Sequence, residues 1–213
     1  MSDPAPEYLQ PYRDAVDEHG GTFEATLWRK RDGQRRRFDA MCRLVDFTSC
    51  SVLDIGCGIG DFASFLLERG VAYGSYRGID AMGPMIDSAR ERNLPRTSYV
   101  VGDVVADAPL ITGGDWISFS GTLNAMGQDR AMTIIRRAWE AASIGVVFNF
   151  LSNRPAPPSD EDLSPASRFD TLELLTMAFD FGGRVGFLQD YLGCHDATIA
   201  ISKEGNTSIP GRR

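Results

Sequence analysis

Three glycines, Gly56, Gly58 and Gly60, alternate with other residues in the segment Ser51–Phe62, between an apolar run and a helical pattern. Glycine suits a sharp turn that a ligand must approach closely, because it has no Cβ to obstruct the backbone. A helix beginning at Asp61 would present free N–H groups and a partial positive charge beside this loop. The loop therefore predicts a binding site for a nucleotide-like cofactor.

The spacing of these glycines and two downstream acids narrow the choice of cofactor. The pattern G-x-G-x-G differs from the G-x-G-x-x-G of dinucleotide-binding folds, and the chain has no G-x-x-x-x-G-K-[ST] phosphate loop. Asp80 ends the next strand, about 20 residues past the glycines, where a carboxylate reaches ribose hydroxyls. Asp103 follows the third strand, where an adenine ring would lie, and Ser120–Asn124 follow the fourth. Together these residues predict a pocket at the carboxyl ends of the strands.

The elements that must position these residues alternate between strand and helix. Short apolar runs predict strands, and amphipathic segments between them predict helices. The predicted strands are 51–55, 76–80, 97–103, 115–120, 145–150, 184–191 and 197–202, and the predicted helices are 61–70, 83–93, 129–142 and 170–181. This alternation calls for a mostly parallel sheet with helices on both faces. The last two strands are separated only by "LGCHD", too short for a crossover helix, so they should pair antiparallel.

Composition limits the remaining possibilities. The 213 residues suffice for one domain, and their formal net charge of −7 argues against general binding to nucleic acid or anionic membranes. No apolar run reaches the roughly 18 residues of a membrane helix, and the polar N-terminus resembles no secretory signal. The four cysteines form no C-x-x-C pair, so no metal site is expected. We therefore predict a cytoplasmic protein; the sequence carries no signal for its oligomeric state.

Four segments, "VLDIGCGIGDF", "YRGID", "GDV" and "DWISFSGTLN", resemble the successive motifs of class I S-adenosylmethionine-dependent methyltransferases. The resemblance covers roughly residues 50–203, and "GTFEATLW" with "GQRRRF" extends it towards an uncharacterised bacterial subgroup. It implies a seven-stranded, doubly wound Rossmann-like sheet of order 3-2-1-4-5-7-6 with an antiparallel terminal hairpin. It also implies S-adenosylmethionine as cofactor and S-adenosylhomocysteine as product.

The resemblance also implies roles for individual residues. The motif at the first strand would surround the methionine part of the cofactor, with Cys57 as a small residue packed under the loop. Asp80 would hold the ribose hydroxyls, Asp103 would accept from the adenine amino group, and Arg37 would pair with the cofactor carboxylate. The full implied set is Arg37, Asp54, Gly56, Cys57, Gly58, Gly60, Asp80, Ala81, Met82, Asp103, Val104, Ser120, Gly121 and Asn124.

Regions outside the motifs complete the expected single domain of residues 1–213. Residues 1–50 are predicted to form a helical cap before the 51–203 core. Within that core, the Pro- and Ser-rich stretch 152–170 is predicted to be a lid loop, and 204–213 to be a tail. The segment 29–37 carries six basic residues in nine, which suits either a solvated surface or an anion contact.

The acceptor of the methyl group is less well defined by the sequence. His195 and His19 are the candidate catalytic residues, because only histidine titrates near neutral pH without perturbation. The fourth strand ends in "SFSGTLN" rather than the motif of adenine or glutamine methylation, so a small molecule or peptide is the favoured acceptor. The alternatives are an RNA or protein methyltransferase that uses residues 29–37, and a cofactor-binding protein without catalytic activity.

Overall fold

A computed structural model describes residues 6–158, 163 and 165–203 and contains one seven-stranded sheet of order β3-β2-β1-β4-β5-β7-β6. Neighbouring strands are parallel from β3 to β5, whereas β7 runs antiparallel to both β5 and β6. The predicted strand order and terminal hairpin are therefore confirmed. The strands are β1 Ser51–Ile55, β2 Ser75–Asp80, β3 Thr97–Val101, β4 Trp116–Phe119, β5 Gly145–Leu151, β6 Arg184–Leu188 and β7 Asp196–Ser202.

Helices cover both faces of this sheet. They are α1 Gln10–His19, α2 Arg31–Leu44, α3 Asp61–Glu68, α4 Gly83–Glu91, α5 Gln128–Ala141 and α6 Thr171–Asp180. Strands β4, β5 and β7 are buried along their whole length, so their side chains face helices on both sides. Such strands read as continuous apolar runs, as "GVVFNF" does in the sequence.

The third and sixth strands end earlier than predicted because turns follow them, and the fourth is shorter by one residue at each end. The third stops at Val101, since Gly102 and Asp103 already belong to the loop that follows it. The sixth stops at Leu188, and a short 3-10 helix, Leu192–Cys194, occupies part of the connection to β7. The early end of β3 leaves the Asp103 carboxylate on a loop beyond the sheet edge.

Helix α2 belongs to the hydrophobic core as well as to the helical cap predicted over residues 1–50. Phe38, Met41 and Leu44 are buried, and α2 packs against β5, β7 and α3. The ring of Phe38 lies 5.0 Å from that of Phe62 on α3. These apolar side chains therefore face the sheet and α3, whereas Cys42 on the same helix is only half-buried.

The two ends of the segment between β5 and α6 contact each other. Ser152 and Phe169 form an isolated β-bridge, and the buried ring of Phe169 lies 6.4 Å from that of Phe150. The predicted lid, 152–170, thus begins and ends against the core. Its residues 159–162 and 164 lie outside the described part of the chain, as do residues 1–5 and the predicted tail, 204–213.

Within the described residues, every helix is too short or too polar to span a bilayer.

Core packing around Phe62 predicts a strong effect on stability. Its ring is 1% exposed and contacts the rings of Phe38 and Phe47 at 5.0 and 5.5 Å. Phe62→Ala should lower the free energy of unfolding in urea by about 3–5 kcal/mol, because it removes buried contacts and leaves a cavity. Phe179→Ala, the same change at a side chain that is 64% exposed, should cost less than about 0.5 kcal/mol. Equal losses would contradict this assignment of the core.

Candidate active site

Two adjoining cavities lie at one edge of the sheet, the second at the carboxyl ends of β4 and β5 and the first at those of β1, β2 and β4. The first cavity is walled by the loops that follow these strands and β3. It includes eleven of the fourteen predicted cofactor residues: Asp54, Gly56, Cys57, Gly58, Asp80, Ala81, Met82, Asp103, Val104, Ser120 and Gly121. The second cavity includes Arg37 and Asn124, and Gly60 lies behind the loop at the start of α3.

The glycine loop owes its shape to backbone conformations that other residues rarely adopt. Gly56, Gly58 and Gly60 have φ angles of 71°, 53° and 79°. A Cβ on Gly56 would come within 2.0 Å of the Thr122 hydroxyl, so no larger residue fits there. A Cβ on Gly58 would meet only Thr26 at 3.6 Å and a methionine sulfur at 4.0 Å. The loop therefore leaves its backbone open towards the first cavity.

Asp54 cross-links three strands directly beneath the glycine loop. Its carboxyl group accepts a hydrogen bond from the Tyr76 hydroxyl on β2 and one of 2.8 Å from the Ser118 hydroxyl on β4. The side chain is buried, and this burial raises its pKa to about 6, although both hydroxyls favour the ionised form. Asp54 thus ties β1 to its two neighbours where the loop begins.

Asp80 is held by backbone N–H groups at the end of β2. Gly58 N–H donates to one carboxylate oxygen and Met82 N–H to the other, both at 2.9 Å. Burial raises the pKa of Asp80, while these backbone donors oppose the shift. Each carboxylate oxygen has a second acceptor site. The arrangement therefore fixes the carboxylate and leaves it able to accept hydrogen bonds from a ligand.

Asp103 forms the far end of the first cavity and contacts the N-terminal segment. Its carboxylate accepts a hydrogen bond from the Tyr8 hydroxyl and another, 2.9 Å long, from Val105 N–H. Burial and this contact with Asp103 raise the pKa of Tyr8. The buried side chain of Val104 lines the wall next to the acid.

A buried asparagine organises the loop after β4. Asn149 accepts from Gly121 N–H at 3.1 Å and donates to the Ser120 hydroxyl at 3.1 Å. Asn124, further along this loop, donates to the Ser167 carbonyl at 2.8 Å and so joins it to the end of the predicted lid. This loop forms part of the boundary between the two cavities.

The N-terminal segment supplies walls that the sequence motifs did not indicate. Tyr8, Tyr12, Thr26 and Trp28 line the first cavity, and the last three also line the second. One available signal was the i, i+3, i+7 spacing of Leu9, Tyr12 and Val16, because it places three apolar side chains on one face.

This segment is docked on α4 by close backbone contact. The Ser88 hydroxyl donates to the Gly21 carbonyl at 2.7 Å, and a Cβ on Gly21 would come within 2.2 Å of the Pro84 carbonyl oxygen. The segment therefore packs over the loops that line the first cavity.

The second cavity lies between the start of α2, the base of the predicted lid and the loop before β7. Arg37 forms an ion pair there with Asp196, and its guanidinium stacks on the Trp28 ring at 4.2 Å. Within the described residues, the first cavity is lined by no lysine or arginine. The cation predicted to meet the cofactor carboxylate is thus placed on the far side of Trp28.

The two predicted catalytic histidines are in different places. His195 lines the second cavity, and its Nδ1 lies 2.8 Å from Nη2 of Arg168. A guanidinium can only donate, so Nδ1 accepts and the imidazole proton lies on Nε2. His19 is exposed at the end of α1, 3.8 Å from Glu18, and lines neither cavity.

Comparison with known proteins agrees with this geometry. Residues 52–143 match the family described as "Methyltransferase domain". This part of the chain is thus similar to a methyltransferase domain. The matched residues run from β1 through α5 and so include the glycine loop, Asp80 and Asp103.

Solved structures share the fold across most of the chain. The "DhpI-SAM-HEP complex" is 16% identical, with a TM-score of 0.68, and the alignment covers 94% of this chain and 98% of that one. An O-methyltransferase family protein from Burkholderia thailandensis is 16% identical, with a TM-score of 0.64 and coverages of 81% and 57%. Magnesium protoporphyrin IX methyltransferase from Synechocystis PCC 6803, with bound SAM, is 15% identical, with a TM-score of 0.54 and coverages of 95% and 86%.

The chemistry available in the two cavities is that of binding and positioning. Carboxylates, open backbone and apolar walls in the first cavity suit a nucleoside with ribose hydroxyls and an aromatic base. Among residues 6–158, 163 and 165–203, no cluster of three or more His, Cys, Asp or Glu side chains could hold a metal ion.

The raised pKa of Asp54 predicts a pH dependence of stability. A folded-state pKa of about 6, against 3.8 normally, means that the folded protein retains a proton which the unfolded chain loses. The contribution of Asp54 to the free energy of unfolding should therefore fall by about 3 kcal/mol as the pH rises from about 4 to above 6. Asp54→Asn should remove this part of the slope in urea unfolding. Asp17→Asn, a control at an exposed carboxylate, should retain this pH dependence. Parallel plots of unfolding free energy against pH for the wild type and Asp54→Asn would contradict the assignment.

Proposed function

We propose that this chain transfers a methyl group from S-adenosylmethionine in the first cavity to a small molecule or short peptide in the second. The observation that carries the proposal is the junction of the cavities, where Gly121 and Trp28 line both. The cofactor brings an activated methyl on its sulfonium, and transfer breaks this C–S bond as the bond to the acceptor forms. The protein mainly has to hold the two reactants in line and close together.

The proposed contacts of the cofactor follow from the donor and acceptor groups of the first cavity. Asp80 binds the ribose hydroxyls with the acceptor sites left by Gly58 and Met82. The Asp103 carboxylate accepts a hydrogen bond from the adenine amino group as well as the one from the Tyr8 hydroxyl. Val104 packs against the adenine ring.

The remaining proposed contacts surround the methionine part of the cofactor. Gly56 and Gly58 have no side chains, so this part of the cofactor can lie against the loop backbone. Ser120 and Gly121 lie beside the sulfonium. Arg37 lines the second cavity rather than the first, but it stacks on Trp28 at the junction of the two, where its remaining N–H donors would allow it to bind the cofactor carboxylate while keeping Asp196. His195 meets the acceptor from the opposite wall of the second cavity.

The size of the second cavity and the pairing of the basic segment favour a small acceptor. Its volume of about 720 Å³ lies within the roughly 300–1,000 Å³ of small-molecule sites. The basic segment that might bind RNA is largely engaged within the chain: Arg35, Arg36 and Arg37 pair with Glu68, Asp32 and Asp196. A segment paired in this way presents little free charge to a phosphate backbone.

Cofactor binding tests the first half of the proposal. Calorimetry should detect binding of S-adenosylhomocysteine to the wild-type protein. Asp80→Asn should lower this affinity at least about tenfold, because a charged acceptor for two hydroxyls is lost. Asp87→Asn, an exposed carboxylate paired with Arg90 on α4, should leave the affinity within about twofold. No binding to the wild-type protein would overturn the proposed function.

Blocking the second cavity tests where the acceptor binds. Gly33 lines this cavity, and a Cβ built on it meets no atom within 4 Å. Gly33→Trp should therefore abolish transfer of labelled methyl to a pool of small metabolites and peptides, yet leave the affinity for S-adenosylhomocysteine within about twofold. Arg35→Trp, on the same helix but outside both cavities, should retain transfer. Labelling of an RNA pool alone would contradict the choice of acceptor.

A further inference from the structure

The first cavity is small for the ligand that we propose to bind there. Its volume is about 100 Å³, against about 720 Å³ for the second cavity. Sites that enclose small-molecule ligands generally measure roughly 300–1,000 Å³. At least one wall of the first cavity must therefore move before the whole cofactor can enter.

The walls that come from the sheet are held in place. Asp54 joins β1 to hydroxyls on β2 and β4, and Gly102 N–H donates to the Asp80 carbonyl at 2.9 Å where β3 ends. These contacts tie the ends of neighbouring strands together. Moving one of the loops that follow them would disturb the sheet, so the wall that can move is the N-terminal segment.

Residues 6–26, which we call the N-terminal strap, pack in a small hydrophobic cluster of their own. Three buried side chains from the strap meet three from the glycine loop and the beginning of α4: Ala15, Phe23, Ala25, Ile59, Met82 and Met85. The two larger clusters of the core contain no buried side chain of residues 6–26. A segment with so few buried apolar contacts can open while the rest of the protein stays folded.

The end of the strap that leads into α2 is anchored. Arg37 stacks on the Trp28 ring at 4.2 Å, and the same ring lies against Gly121. A side-chain hydrogen bond from Ser88 to the Gly21 carbonyl ties the middle of the strap to α4. The strap is therefore fixed next to Trp28 and would open from its other end.

Tyr8 holds that other end on the acid of the first cavity. Its hydroxyl donates to the Asp103 carboxylate, and the guanidinium of Arg130 lies over its ring at 4.7 Å. A hydrogen bond to a charged acceptor is stronger than one between neutral groups. The carboxylate keeps further acceptor sites for an adenine amino group, so the bond to Tyr8 can persist when the cofactor is bound.

We infer that the N-terminal strap opens to let the cofactor enter and leave, and that the hydrogen bond between Tyr8 and Asp103 sets the rate of this exchange. The inference rests on the proposed function, because it concerns the cofactor of that reaction. The bond closes the strap over the cavity both before and after the cofactor binds. Tyr8 thus controls the speed of exchange and contributes little to the affinity.

Rapid-mixing fluorescence with S-adenosylhomocysteine tests the role of Tyr8, with Trp28 in the cavity wall as the reporter. Tyr8→Phe keeps the ring beside Arg130 and removes only the hydroxyl. It should raise the rate constants for association and for release about tenfold each, because opening precedes both steps. The dissociation constant should change less than about threefold. A change in only one of the two rate constants would overturn the inference.

A matched variant provides the control for this measurement. The Tyr73 hydroxyl donates to the Pro95 carbonyl at 2.9 Å, and Tyr73 lines neither cavity. Tyr73→Phe makes the same chemical change and should leave both rate constants within about twofold. Equal effects of Tyr8→Phe and Tyr73→Phe would contradict the assignment of the closing contact.

Amide hydrogen exchange tests the opening of the strap without a ligand. In the wild-type protein, amides of α1 should exchange at least about tenfold faster than those of β4, because the strap opens while the sheet stays closed. Tyr8→Phe should accelerate exchange in α1 about tenfold further and leave β4 unchanged. Equal exchange rates in α1 and β4 would mean that the strap opens only on global unfolding, which would overturn the inference.

Two outcomes distinguish this inference from the proposed function. Binding of S-adenosylhomocysteine with rate constants that Tyr8→Phe does not change would overturn the role of the strap and leave the proposed methyl transfer standing. Failure of S-adenosylhomocysteine to bind the wild-type protein would overturn both.

Discussion

The buried carboxyl group of Asp54 is the point on which the arrangement of the first cavity depends. It joins β1 to Tyr76 on β2 and to Ser118 on β4, where the chain leaves the sheet to form the glycine loop. The loop backbone continues the same linkage, because the N–H groups of Gly56 and Cys57 donate to the Ile79 carbonyl. The ends of three strands are thereby held in one arrangement before any ligand arrives, which lowers the cost of ordering the site.

The second cavity is held together differently, through contacts between distant parts of the chain. Arg37 and Asp196 lie 159 residues apart in sequence, and their ion pair joins α2 to the start of β7. A buried pair of this kind is costly to desolvate, so its value lies more in positioning than in stability. The Trp28 ring on which Arg37 stacks lies against Gly121, and His195, the residue before Asp196, lines the same cavity.

The sequence predicted the core and much of the first cavity because their signals are local. Asp80 and Asp103 follow strands that their apolar runs define, and a parallel sheet brings such positions to one edge. Tyr8 and Trp28 were missed because they reach the site through tertiary contacts that no spacing encodes. The pairing of Arg37 with Asp196 was missed for the same reason. His195 was selected for its chemistry alone; the proton on Nε2 follows from Arg168, which only the folded structure places beside it.

Tyr12, Thr26 and Trp28 form a wall common to both cavities. A ligand that orders this wall from one side leaves less conformational entropy to be lost when the other ligand binds. Thermodynamic linkage makes any such effect reciprocal: the factor by which cofactor strengthens acceptor binding equals the factor by which acceptor strengthens cofactor binding. Because all three residues belong to the segment before β1, changes in that short stretch can alter the cooperativity between the ligands without altering the glycine loop.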